Sequence, residues 1–441
     1  PPPAPAHEIF FRNEARAAMC VAAILLAPED QMEDAVIIDD WNTHQRQIGY
    51  IDAATLSIVS QGERQRWTAP ADGPYRLYAF WPVEHRGYDG CRVNCLDARL
   101  GEKFVETAYL PYITRFAAFM GGNRAMNGVF CDTEGGFGYK LAWSGDLARH
   151  FRRKTGEDIR RMLPLLLDMD VNGREAKARF DWYDAASDLF VENFRAPIRC
   201  AQEHGMYYTM HTWEESLPFQ ANMVGDYFKL NRAIPIPGAD SLAYAAYNPA
   251  AFKDAASAAE FDGKRCMAEF MALLPLRAYT MEELRRQSNC LIAWGVSHVI
   301  AHGVKMTRRR AQEVVTPDIF TIDPSWQNMK VWADMVRRGS FANANGVSLA
   351  RVLLINPMDS IWALSDGAAM DPACPTLDTD GGIPANTASH GGKASEINRI
   401  YQQSIRKLTR ARIAHLTADK YYLRQMRLEG RRLVRGRHSF Q

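Results

Sequence analysis

Residues 265–302 carry the pattern on which the fold turns. They read Arg265-Cys-Met-Ala-Glu-Phe270, then a stretch opened by Thr280-Met-Glu-Glu283 and closed by Trp294-Gly295, then Val296-Ser-His-Val-Ile-Ala-His302. The outer pieces are short apolar runs that end in polar residues, as strands buried on both faces do. In the middle, Thr280 and Glu283 have the spacing of a reciprocal N-terminal cap, and Gly295 supplies a stop that tolerates left-handed backbone. Strand, helix and strand in this order are the repeating unit of a parallel sheet with crossover helices.

The same alternation extends outward on the N-terminal side. Gly128-Val-Phe-Cys-Asp132 and Met206-Tyr-Tyr-Thr-Met-His211 read as strands, and Ala233-Ile-Pro-Ile-Pro237 as a weaker one. Ser144 caps a helix running to Thr155-Gly156. Trp182 to Glu203 reads as one helix with Ala186, Leu189, Phe190, Phe194 and Ile198 on its buried face, kinked at Pro197 and ended by His204-Gly205. The fold class expected is α/β: a (β/α)8 TIM-like barrel with a small β-rich insertion and a following α/β domain. The boundaries are 1–34 for the start of the barrel, including Ala17 to Ala27 as a possible inner strand, and 35–85 for the β-rich insertion. The catalytic barrel follows over 86–345. Residues 346–441 form an accessory unit of flavodoxin-like type, with a strand at Val352-Leu-Leu-Ile, a long helix from Ser395 to about Leu416, and an arginine-rich terminal segment read as solvated strand.

Composition narrows the partners. The 441 residues are 47% apolar and carry 53 basic against 51 acidic side chains, a formal charge of +2. That balance gives no general electrostatic attraction to nucleic acid or to an anionic membrane. No apolar run reaches the ~18 residues a membrane-spanning helix needs, and Pro1 to Ala6 lack the features of a signal peptide. A secreted or periplasmic place is favoured over a cytoplasmic one, with any leader absent. Among eight cysteines only Cys91 and Cys95 are close in sequence, and free thiols are the preferred reading.

In a (β/α) barrel the chemistry sits at the carboxyl ends of the strands. The polar residues there are Asp132 and Glu134, His211, Trp213 and Glu214, Asp240, Glu269, and His302. Glu134 precedes Gly135-Gly136, a turn that lets a carboxylate face the barrel mouth. Glu269 places a charge in an apolar strand, which is costly unless the charge is paired or works. Two such carboxylates across a sugar-sized mouth suit glycoside cleavage: one acid protonates the departing oxygen while its partner activates water or attacks the anomeric carbon. Asp132 is the neighbour expected to keep one of them protonated. Trp143 and Trp213, with Phe137 and Tyr139, offer faces for sugar stacking, and His211 and His302 can hydrogen-bond sugar hydroxyls. His298 and His302 without a third ligand are weak evidence for zinc. Phosphate-loop, nucleophile-elbow and dinucleotide motifs are absent from the sequence.

These residues resemble those of glycoside hydrolase family 106, the α-L-rhamnosidases. The resemblance runs from about Trp67 to Leu423 and rests on an ordered series of segments. These are Trp67-Thr-Ala-Pro-Ala-Asp-Gly-Pro-Tyr-Arg-Leu77, Asn127 to Glu134, Phe151 to Asp158 with Leu163-Pro164, Asp188 to Phe194, Ala268-Glu-Phe270, Gly295 to Gly303, and Val352 to Trp362. It implies Glu134 as general acid, Glu269 as the base that activates water, an inverting reaction, and calcium near the substrate, with no ligands assigned. It also implies that the chain is incomplete at its barrel start and after its α/β unit. At the acid, Asp132-Thr-Glu134 is one residue shorter than the family's usual Asp-Ser-Trp-Glu. The resulting expectation is a hydrolase that removes a terminal sugar, α-L-rhamnose, from a plant or microbial glycan. Its rivals are a carbohydrate-binding or inactive barrel, and a polysaccharide lyase built on Arg265, His211 and Lys264.

Overall fold

The computed structural model describes residues 7–10, 21–25, 50–61, 64–67, 76–80, 93–133, 143–212, 216–241, 249–270, 280–302, 324–365 and 393–441. Its centre is a parallel sheet of five strands lying side by side in chain order: Gly128–Thr133, Tyr207–Thr212, Ile236–Ser241, Met267–Phe270 and His298–Ala301. Each is the strand expected from the sequence, within three residues at its start. Every crossover between them carries helix, which is what returns the chain to the starting end of the next strand. The helices are Gly145–Thr155, Glu175–Glu192 and Arg195–Glu203, then Leu217–Met223 and Tyr227–Ala233, then Pro249–Asp262, then Met281–Trp294. The fourth strand is buried along its whole length, and the second at every position after Tyr207.

Local chemistry sets the ends of these helices. The Ser144 hydroxyl accepts from the Leu147 N–H at 2.9 Å and donates to the Leu96 carbonyl at 2.7 Å. Thr280 and Glu283 form the reciprocal cap, and Gly295 takes a φ of 109° at the helix end. The helix expected over Trp182 to Glu203 is in fact two, Glu175–Glu192 and Arg195–Glu203, divided at Asn193 and Phe194. Pro197 is the cause, acting one turn upstream: it has no N–H to give the Asn193 carbonyl, and its ring excludes that carbonyl from a regular turn. Gly101 fills the gap so opened, since a Cβ there would lie 2.3 Å from the Asn193 oxygen.

Outside the parallel sheet, Val21–Leu25 is the central strand of a three-stranded antiparallel sheet, between Ser57–Gln61 and Arg76–Phe80. This corrects the reading of that apolar run as an inner barrel strand: a continuous apolar run does not reveal the direction of its neighbours. Val352–Ile355 pairs in parallel with His415–Ala418, joined through the helix Lys393–Arg410. The arginine-rich end folds as a three-stranded antiparallel meander, Arg427–Glu429, Arg432–Arg435 and His438–Phe440. Cys95, Cys131, Cys200, Cys266 and Cys290 are free thiols, and Cys91 lies outside the described residues. Among the described residues no helix is long and apolar enough to cross a membrane.

The helix Pro249–Asp262 joins the two parallel sheets through a buried polar network. Asp254 accepts from the Tyr401 hydroxyl at 2.6 Å and from Asn356 Nδ2 at 2.9 Å. Burial pushes Asp254 from 3.8 up to about 7, and pushes His415, on the strand packed against the same helix, from 6.5 down to about 4. The raised acid contributes stability that is full below its unfolded value and lost as pH rises through 7. The depressed histidine contributes stability that is full above 6.5 and lost as pH falls through 4. The two slopes oppose one another across the same window. His415→Gln removes one of them, so its destabilisation relative to the native chain should be smaller at pH 5 than at pH 7 by about 2 kcal/mol. Denaturant titrations at the two pH values measure this, and an equal difference at both would show that His415 does not titrate with folding.

Candidate active site

Strand register brings the polar ends together. Asp132 pairs directly with His211, and Asp240 with Glu269, so each pair projects to one side of the sheet. His211 crosses the intervening strand to reach Glu269: its Nε2 lies 2.8 Å from Glu269 Oε2 and 3.4 Å from Asp132 Oδ1. Gly238 makes this possible. It lies one step beyond the paired Pro237 and Met210, where a Cβ would fall 2.5 Å from Met267 Cε and 3.0 Å from the Met210 oxygen. A side chain at that position would close the space between the second and fourth strands.

Exposure grades across the group. The side chains of His211 and Glu269 are 1% and 3% exposed, against 55% for Asp132 and 31% for His302. His302 follows the fifth strand, is held there by its N–H donating to the Phe270 carbonyl at 2.9 Å, and places Nε2 4.0 Å from Glu269 Oε1. The ring of Phe130 packs at 5.7 Å from that of His211. A buried carboxylate is costly unless paired, and Glu269 is paired with an imidazole whenever His211 is protonated. The resulting arrangement has a dry end at Glu269 and an open end at Asp132 and His302.

The sequence reading therefore has Asp132, His211, Asp240, Glu269 and His302 at neighbouring strand ends. Glu134, Trp213 and Glu214 lie outside the described residues, as do Phe137 and Tyr139. Trp143 is half-buried against the main core just before the Ser144 cap. Phe130 and Gly238 are additions: Phe130 is two residues before Asp132 and so on its face, a signal available from strand periodicity, whereas Gly238 acquires its meaning only from register. His298 does not join His302. It lies at the start of its strand with its ring 5.4 Å from Tyr207, and burial, with Arg265 nearby, lowers its pKa. The lyase set is not assembled either, because Lys264 and Arg265 precede the fourth strand and Lys264 Nζ donates to the Ile234 carbonyl at 3.1 Å.

Among the described residues no group of three or more His, Cys, Asp or Glu side chains converges to hold a metal ion.

Residues 83–375 match the family described as α-L-rhamnosidase, glycoside hydrolase family 106. Among solved structures the chain is similar to the rhamnosidase from Novosphingobium sp. PP1Y, with a TM-score of 0.59 and 15% identity over 97% of this chain and 45% of that one. The cold-adapted β-galactosidase from Rahnella sp. R3 gives a TM-score of 0.47 and 14% identity over 70% of this chain and 46% of its own. The β-galactosidase from the psychrophilic Marinomonas ef1 gives 0.47 and 13% over 74% and 54%. This chain thus spans less than half the length of the Novosphingobium rhamnosidase, and the likeness to it is one of fold. No curated protein matches the chain in sequence.

Proposed function

The chain belongs to the α-L-rhamnosidase family, glycoside hydrolase family 106, and from that premise we propose that it is the catalytic part of a hydrolase that removes terminal α-L-rhamnose from a glycan or glycoside. In this reading the five-stranded sheet is part of a (β/α)8 barrel, with the β-rich segment as an insertion and residues 346–441 as an accessory α/β domain. The observation that carries the reading is Glu269, a carboxylate buried at the carboxyl end of a parallel strand and paired with His211 at 2.8 Å.

Glu269 acts as general base, taking a proton from the water that attacks the anomeric carbon, and Glu134 acts as general acid on the departing oxygen. Attack by water from the face opposite the leaving group inverts the anomeric configuration. Asp132, Asp240 and His302 hydrogen-bond the sugar hydroxyls, and Trp213 and Glu214, next in sequence after the second strand, join them in binding substrate. Trp143 would supply a stacking face. Calcium belongs to this reading through the family alone.

The test is hydrolysis of aryl α-L-rhamnosides by the native chain and by Glu134→Gln. The native chain should release the aglycone, and the variant should lose at least about a hundredfold on a poor leaving group. Its loss should be smaller on nitrophenolate, which departs without protonation. A native chain inert toward aryl α-L-rhamnosides but active on another aryl glycoside would refute the sugar assignment, and inertness toward all of them would refute the hydrolase.

A further inference from the structure

We propose that His211 is a positioning residue, a buried imidazolium that clamps Glu269 and links it to Asp132, and that it does not contact the substrate. The inference rests on the reading of Glu269 as the base. With 1% of its side chain exposed, the ring has no face to offer a sugar. Among its described neighbours, Nδ1 lies 3.4 Å from the Thr212 carbonyl, Phe130 packs on the ring at 5.7 Å, and Nε2 faces Glu269 at 2.8 Å and Asp132 at 3.4 Å.

Nδ1 faces a carbonyl, which only accepts, and Nε2 lies at ion-pair distance from two carboxylates, so these neighbours favour the protonated ring. The ring is then a cation shared by two carboxylates. Glu269 Oε2 is committed to it, which leaves Oε1 directed toward His302 at 4.0 Å, on the more open side. That is the oxygen positioned to take a proton from water. Among the described residues, the ionisable groups around the clamp are Asp132 on the first strand, Asp240 beside Glu269 on the third, Glu269 itself on the fourth, and His302 after the fifth. Removing the imidazolium leaves the buried Glu269 carboxylate without its cationic partner and beside Asp240.

His211→Phe should therefore lower kcat by about a hundredfold while KM changes by less than about threefold, and should move the acidic limb of the kcat profile to higher pH. A residue serving packing alone would leave that limb in place. A second readout needs no substrate: histidine imidazole NMR of the native chain and of Glu269→Gln, with the His211 signal assigned by its loss in His211→Gln. The His211 signal should keep its charged position to higher pH in the native chain than in Glu269→Gln. Identical titration in the two proteins would overturn the clamp, whether or not the chain hydrolyses rhamnosides. An altered titration in a chain with no glycosidase activity would uphold the clamp and refute the base.

Discussion

Glu269→Gln is expected to fold as the native chain does and to lose ~10²–10⁴-fold in kcat/KM on aryl α-L-rhamnosides. The substitution keeps the volume and one oxygen of the side chain but removes the lone pair that takes the proton from water. Because His211 is pinned by Phe130 and the strand backbone as well as by Glu269, the amide is received into an unchanged cavity. The loss should therefore fall on kcat. It should also be nearly independent of the leaving group, since a base assists attack by water and has no part in departure. This separates Glu269 from Glu134, whose loss is expected to grow as the leaving group becomes worse. A Glu269→Gln variant with more than about a tenth of native kcat would remove Glu269 from the chemistry.

The largest effect on stability is expected at Trp362. Its side chain is fully buried on the helix Met358–Leu364. The indole stacks on Tyr183 at 6.0 Å and meets the edge of Phe180 at 5.4 Å, both on Glu175–Glu192. Its Nε1 donates to the Gly225 carbonyl at 3.1 Å, and the Lys420 ammonium sits 4.5 Å from the ring centre. One side chain thus ties the accessory segment to the helices behind the parallel sheet. Trp362→Ala removes the packing, leaves a cavity and orphans a carbonyl, at a cost of ~3–5 kcal/mol. Against a typical total of 5–15 kcal/mol, about a fifth or more of the stability goes. Trp362→Phe keeps a ring and should cost roughly half as much. Urea titration followed by circular dichroism measures both, and a cost below about 1 kcal/mol for the alanine variant would show that the segment is not anchored there.

Much of the fold was legible because its signals are local. The five parallel strands are short apolar runs closed by a polar residue, and the caps at Ser144 and Thr280 and the stop at Gly295 act through neighbours within one turn. What escaped depends on contacts distant in the chain. The antiparallel partners of Val21–Leu25 are set by Ser57–Gln61 and Arg76–Phe80, and nothing within the run specifies them. The break at Asn193 precedes its cause at Pro197, because a missing N–H is felt by the carbonyl one turn earlier. In the site, the sequence marked His211 and Glu269 separately as polar strand ends. Their contact required the third strand to be thin at Gly238, which only the register of Met210, Pro237 and Met267 makes visible. That contact also alters the expected part of His211, from an open group facing hydroxyls to a buried one facing a carboxylate.

The central claim is that Glu269 delivers water rather than attacking the sugar itself. Proton NMR of the rhamnose released in the first minutes of turnover, before mutarotation scrambles the anomers, tests this directly. Initial appearance of the β anomer from an α-L-rhamnoside is the result expected of a water-activating base. Initial appearance of the α anomer would contradict it and would make the carboxylate a nucleophile.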